Sequence, residues 1–115
     1  MSARAWPKAL SFDRGARTMR AEFDTGETFD IPFELLRVSS PSAEVRGHRA
    51  GEEKLVLGKE NVGVREAQPV GRYAVRIVFD DGHDTGLYSW DYLYELGRDR
   101  DAKIAAYRKA VSKSG

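Results

Sequence analysis

The chain has 115 residues, no cysteine, and 19 basic against 18 acidic side chains, for a net charge of +1. That length suits one domain with an ordinary core, and the cysteine count excludes disulfides and thiolate metal sites. Balanced charge gives no global field to draw nucleic acid or an anionic membrane, and no apolar run approaches a membrane span.

The opening MSARAWPKAL lacks the apolar core of a signal peptide, so a cytoplasmic protein is expected. Leu10 and Phe12 alternate in KALSFD as a first strand, and Asp13-Arg14-Gly15 forms a turn. A hairpin is expected from about Thr18 to Ile31. A three-residue loop pairs Ala21 with Phe29 and Met19 with Ile31, which puts all four on one face. Pro32, with its fixed φ, starts a short helix PFELLRV that stops at Ser39-Ser40-Pro41-Ser42.

The segment from Ala43 to Gly71 is less regular. Leu55 and Leu57 alternate, as do Val62 and Val64, which predicts two short strands around a turn at Gly58 to Gly63; Pro69 and Gly71 separate these from the central strand. The strongest signal is YAVRIVFDDGHDTGLYSWDYLYELG, from Tyr73 to Gly97. Tyr73, Val75, Ile77 and Phe79 share a face, and the chain reverses at Asp81-Gly82. A two-residue loop pairs Arg76 with Leu87. A three-residue loop, with Gly82 left-handed in a bulge, pairs Phe79 with His83 and Val75 with Leu87, and is the expected register. Ser89 is the expected N-cap of a helix with Asp91 at its positive start, Leu93 and Leu96 on one face, and Gly97 as its stop. In the tail, Asp101 is a candidate N-cap, and Ile104, Tyr107 and Val111 predict an amphipathic helix packed on the sheet and frayed at its end.

Two stretches match internally. Met19 to Gly26 aligns with Val75 to Gly82, and Pro32 to Leu36 aligns with Ser89 to Leu93 after one inserted residue in the second copy. Two hairpin-helix units are too few for a solenoid, so they are expected to face one another or share a sheet. The expected fold class is α+β: a small single domain over 1–115, with antiparallel β-hairpins forming a mixed sheet. Two short helices each follow a hairpin, and a terminal helix occupies 98–115.

The residues LRVSSPSAEVRGH at Leu36 to His48, with PVGRYAVRIVFDDGHDTGLYSWDYL at Pro69 to Leu93, resemble the gamma-butyrobetaine hydroxylase-like N-terminal domain family. The resemblance covers Trp6 to about Gly97 and implies a compact domain of unknown function. In the carnitine-biosynthesis hydroxylases a similar domain is an appendage with a structural zinc, and the iron and 2-oxoglutarate chemistry lies in a further domain that 115 residues cannot hold. The resemblance places the zinc-ligand positions at Ser40, Ser42, Val45 and His83. Three of the four are not ligands here, because a serine hydroxyl or a valine does not replace a thiolate. Similar domains also occur fused to iron-sulfur cluster carrier ATPases, which implies a protein partner of the iron-sulfur carrier or oxygenase type.

Three functional readings are open. The favoured one is a non-catalytic interaction or accessory module with no cofactor, no nucleic acid and no membrane partner, using Arg46, His48, Arg49, Tyr88, Tyr92 and Tyr94 as an aromatic and basic surface. A second makes His83, His48 and Asp81 a zinc or iron site, since imidazole and carboxylate suit those ions; the plainer account of the same acidic turn is a set of turn formers. A third is a small-molecule enzyme with a cleft between the two hairpin units, lined by His48, His83 and Arg46. Known catalytic patterns are lacking: no G-x-S-x-G elbow, no glycine-rich phosphate loop, and no recognisable triad partner for either histidine.

Overall fold

A computed structural model describes residues 6–41 and 56–114. It contains strands β1 (Pro7–Asp13), β2 (Thr18–Phe23), β3 (Thr28–Pro32), β4 (Val64–Val70), β5 (Ala74–Phe79) and β6 (Gly86–Ser89). Helices α1 (Phe33–Val38), α2 (Trp90–Arg98) and α3 (Arg100–Ser114) complete it. The class is α+β, and pairing is antiparallel throughout, in two three-stranded sheets ordered β1-β2-β3 and β4-β5-β6.

The internal match extends to hydrogen bonds. Phe23 N donates to the Glu27 carbonyl (2.9 Å) and Phe79 N to the His83 carbonyl (2.9 Å), around Gly26 and Gly82 with φ of +91° and +94°. Each sheet passes into its helix by the same contact, Phe33 N to the Arg17 carbonyl and Trp90 N to the Tyr73 carbonyl. The outer strands carry matching irregularities, at Pro7/Ala9 and at Val64/Glu66. Each unit is therefore three strands and a helix, and the two face one another across a single core. Met19, Ala21, Phe23 and Ile31 meet Val75, Ile77, Phe79 and Tyr88 there, with Phe33, Leu36, Leu93 and Leu96 from the helices. Burying side chains of this size stabilises by roughly 1.5–3 kcal/mol each.

The first hairpin has the expected register, with Met19 opposite Ile31 and Ala21 opposite Phe29. The second departs from it. The turn is as expected, but Val75 pairs with Tyr88 and Arg76 with Leu87. The residue inserted between His83 and Gly86 shifts the returning strand by one, which sends Tyr88 into the core and leaves Leu87 47% exposed. The insertion thus restores equivalence, since Tyr88 occupies the place of Ile31.

Other differences have local causes. No strand forms at Leu57, which is exposed; β4 instead runs through Pro69, tolerated because β4 is an edge strand. Tyr73 lies outside the buried face and meets Trp6 edge-on, with ring centroids 5.8 Å apart. Ser89 caps α2 as expected, its Oγ accepting from Tyr92 N (3.1 Å). Gly97 does not stop that helix: it lies inside α2, buried, where a Cβ would stand 2.5 Å from Phe29 Cγ. It permits close packing of helix on strand. Helix α3 starts before Asp101, which falls in its first turn, and packs chiefly on α1 and α2 rather than on a sheet.

Candidate functional site

A cluster of polar contacts between the two units gathers at the C-terminal end of α1, apart from those of Arg14 with the Val64 and Arg65 carbonyls and of Tyr94 with Glu27. The last carbonyls of a helix have no partner within it. Here Tyr88 Oη donates to the Leu36 carbonyl and Tyr92 Oη to the Ser39 carbonyl (2.5 Å), with the two rings stacked 6.2 Å apart. Burial pushes the Tyr88 hydroxyl well above the ordinary tyrosine range, so it stays a donor. Beside them Ser40 Oγ lies 2.9 Å from His83 Nε2. Ser40 is 1% exposed and His83 5% exposed. The space is tight, since a Cβ on Gly86 would stand 2.8 Å from Ser40 Oγ.

The second hairpin turn supplies the rest. Asp81 Oδ1 accepts from His83 N (3.1 Å), while its Oδ2 meets Arg37 Nε (2.9 Å) and Lys59 Nζ (2.6 Å). Burial alone would raise the Asp81 carboxyl, but Lys59, the His83 N–H and Arg37 together hold it at about 2. Arg37 Nη1 is buried with no hydrogen-bond partner.

The distance between Ser40 and His83 falls in the range of a nucleophile and its base. Their burial closes the pair to any substrate, and the hydroxyl serves as a pin between α1 and the second turn. Nor do the residues fit the zinc that the resemblance to the hydroxylases implies. Of the ligand positions implied by the resemblance, the two described are joined to each other, and Ser42 and Val45 supply no thiolate. Asp81 is occupied by two cations, and no group of three histidine, cysteine, aspartate or glutamate side chains among the described residues is arranged to hold a metal.

The family model described as gamma-butyrobetaine hydroxylase-like, N-terminal, matches residues 10–94. The chain belongs to that family. A crystal structure of a protein of unknown function from Acidithiobacillus ferrooxidans, in the DUF971 family, is 38% identical with a TM-score of 0.67, covering 79% of this chain and 91% of that one. Two NMR solution structures are similar. One is 42% identical with a TM-score of 0.85, covering 98% of this chain and 89% of the other. The second is 46% identical with a TM-score of 0.76, covering 96% and 85%. Among curated proteins, the chloroplastic Fe-S cluster assembly factor HCF101 of Oryza sativa subsp. japonica is 32% identical over 93 residues, which is 78% of this chain and 17% of that protein. The chain thus spans less than a fifth of that relative's length.

Of the surface residues expected from the sequence, Tyr88 is in the core and unavailable to a partner. Tyr92 and Tyr94 are half-buried, and the Tyr94 hydroxyl donates to Glu27 Oε1 (2.6 Å) while its ring packs edge-on against Phe23 and Phe29. Trp90 is also half-buried, with Nε1 donating to the Arg72 carbonyl (2.7 Å). Arg46, His48 and Arg49 lie outside the described residues, as do Ser42 and Val45, and with them the expected approach of His48 to His83. Sequence reasoning missed Arg37 and Lys59. Both answer Asp81 across the chain, and nothing local in the sequence marks that pairing. No helix among the described residues is long and apolar enough to cross a membrane.

Proposed function

We propose that this domain is a non-catalytic accessory module that docks on a protein of iron-sulfur cluster handling. The observation that carries the proposal is its likeness to a small part of a much larger Fe-S cluster assembly factor. A module that forms 17% of such a protein is more economically read as a docking element than as the assembly machinery itself. The closed Ser40–His83 pair supports the same reading, since its polar groups are spent on internal contacts.

The test is binding of the purified domain to the iron-sulfur cluster carrier ATPase of the same cell, by isothermal titration calorimetry. Cluster transfer from the loaded carrier to an acceptor apoprotein is monitored in parallel by circular dichroism. Micromolar binding with an altered transfer rate is the expected result. No binding and an unchanged rate overturn the proposal.

A further inference from the structure

Helix α3 is joined to α2 by a single residue, Asp99, and its hold on the rest of the domain is loose. Every described side chain of α3 is exposed or half-buried. Ile104 and Tyr107 reach α1 over a cavity of about 30 Å³ that Pro32, Leu35 and Val38 also line, so the packing beneath the helix is incomplete. The Tyr107 hydroxyl donates to the Val56 carbonyl (2.5 Å), and Arg108 Nη2 stands 3.7 Å from Glu34 Oε1. At Asp99 the helical ladder is hardly interrupted. Its N–H donates to the Glu95 carbonyl and its own carbonyl accepts from Lys103 N, both at 2.9 Å and both with the four-residue spacing of a continuous helix. The Asp99 backbone, at φ −103° and ψ 19°, lies beside the helical region, and no glycine or proline occurs from Asp99 to Ser114.

We infer that the face of α1 beneath α3 is an interaction surface whose second occupant is the α3 of another copy of this chain. Straightening at Asp99 fuses α2 and α3 into one helix from Trp90 to Ser114, about 37 Å long, and carries Ile104 and Tyr107 off their own α1. The first N–H groups of α3, which a helix start leaves without an intrahelical partner, then gain the carbonyls of Leu96, Gly97 and Arg98. The ion pair that spans the bend, Lys103 with Glu95 (3.2 Å), is partly exposed, so its loss costs little. The seat left open is apolar at Leu35 and Val38 and acidic around them, at Glu34 and Glu60, whose charges both act on Tyr107. The arm that fits it is basic, with Arg100, Lys103, Arg108, Lys109 and Lys113 against Asp101 alone. A second copy supplies that arm, and two copies that exchange arms remake the seat contacts of the closed chain, which keeps the exchange cheap. A one-residue hinge favours it further.

Sedimentation velocity of the full chain over a range of concentrations, before and after refolding at the highest, reads the exchange as a monomer–dimer equilibrium. Asp99→Ala puts the best helix former at the bend and should strengthen dimerisation by about fivefold. Inserting Gly-Gly after Asp99 interrupts the continuous helix and frees α3 to return to its own α1, so only monomer is expected. Glu34→Lys and Arg108→Glu identify the surface. Each alone sets like charges against one another between seat and arm; refolded together, the two variants restore opposite charges at both seats of a mixed dimer. The mixture should therefore dimerise more strongly than either variant alone, by about threefold. Monomer throughout, for the wild type and for Asp99→Ala, overturns the inference. A dimer that survives the Gly-Gly insertion, or a mixture no stronger than its components, also overturns it, since that dimer uses another surface.

Discussion

Ser40 Oγ and His83 Nε2 meet at 2.9 Å between the end of α1 and the second hairpin turn, both shielded from water. The relationship ties one unit of the domain to the other, together with the tyrosine hydroxyls on the Leu36 and Ser39 carbonyls. Removing the hydroxyl leaves a buried ring nitrogen without this partner, at a cost of about 1–3 kcal/mol. Urea unfolding of Ser40→Ala should show that loss. Unchanged stability would mean that the pair is not a pin.

The register of the second hairpin makes a paired prediction. Tyr88→Ala should destabilise by about 3–5 kcal/mol, as for other large buried rings, and Leu87→Ala by no more than about 0.5 kcal/mol as an exposed side chain. The reverse order would place Leu87 opposite Val75 and contradict the observed pairing.

That hairpin also shows how far the sequence could be read. The period-2 faces apart from Tyr73, the Ser89 cap, the left-handed Gly82 and the whole first hairpin are local patterns, and all were legible. The inserted residue was legible as a misalignment of the two units, but its effect on the strand was not, because a turn register and a strand register can differ by one bulge. The site was less legible than the fold. The Arg37–Asp81 and Tyr88–Leu36 contacts join residues 44 and 52 positions apart, and no spacing rule reports them.

Gly97 and Gly82 are required for different reasons and should respond to different substitutions. In a helix Ala is ordinarily better than Gly by about 1 kcal/mol. At Gly97 the contact with Phe29 should reverse that sign, with Gly97→Ala destabilising by about 1–3 kcal/mol from overpacking. At Gly82 the φ of +94° is the constraint, and space is open around it. Gly82→Val should cost about 1–3 kcal/mol from backbone strain, read as a lowered melting temperature. A gain in stability for Gly97→Ala would exclude the close approach.

Asp81 predicts the acid limb of the stability curve. Its folded carboxyl titrates at about 2, below its unfolded value of about 4. The ionised form is thus favoured by folding, so its contribution is complete above about pH 4 and is lost as pH falls toward about 2. Asp81→Asn should flatten that part of the curve relative to wild type. An identical acid limb in the two proteins would show that the Arg37 and Lys59 contacts do not form in solution.

The most direct test of the central claim, that a hydrogen bond joins two of the positions where the resemblance to the hydroxylases implies zinc ligands, is metal content. Tag-free protein and its His83→Ala variant would be measured by plasma mass spectrometry after purification and again after incubation with zinc. The expected result is no stoichiometric metal in either protein, with binding to the cluster carrier retained by the wild type. Stoichiometric zinc or iron in the wild type, lost in His83→Ala, would contradict it and make this a metalloprotein.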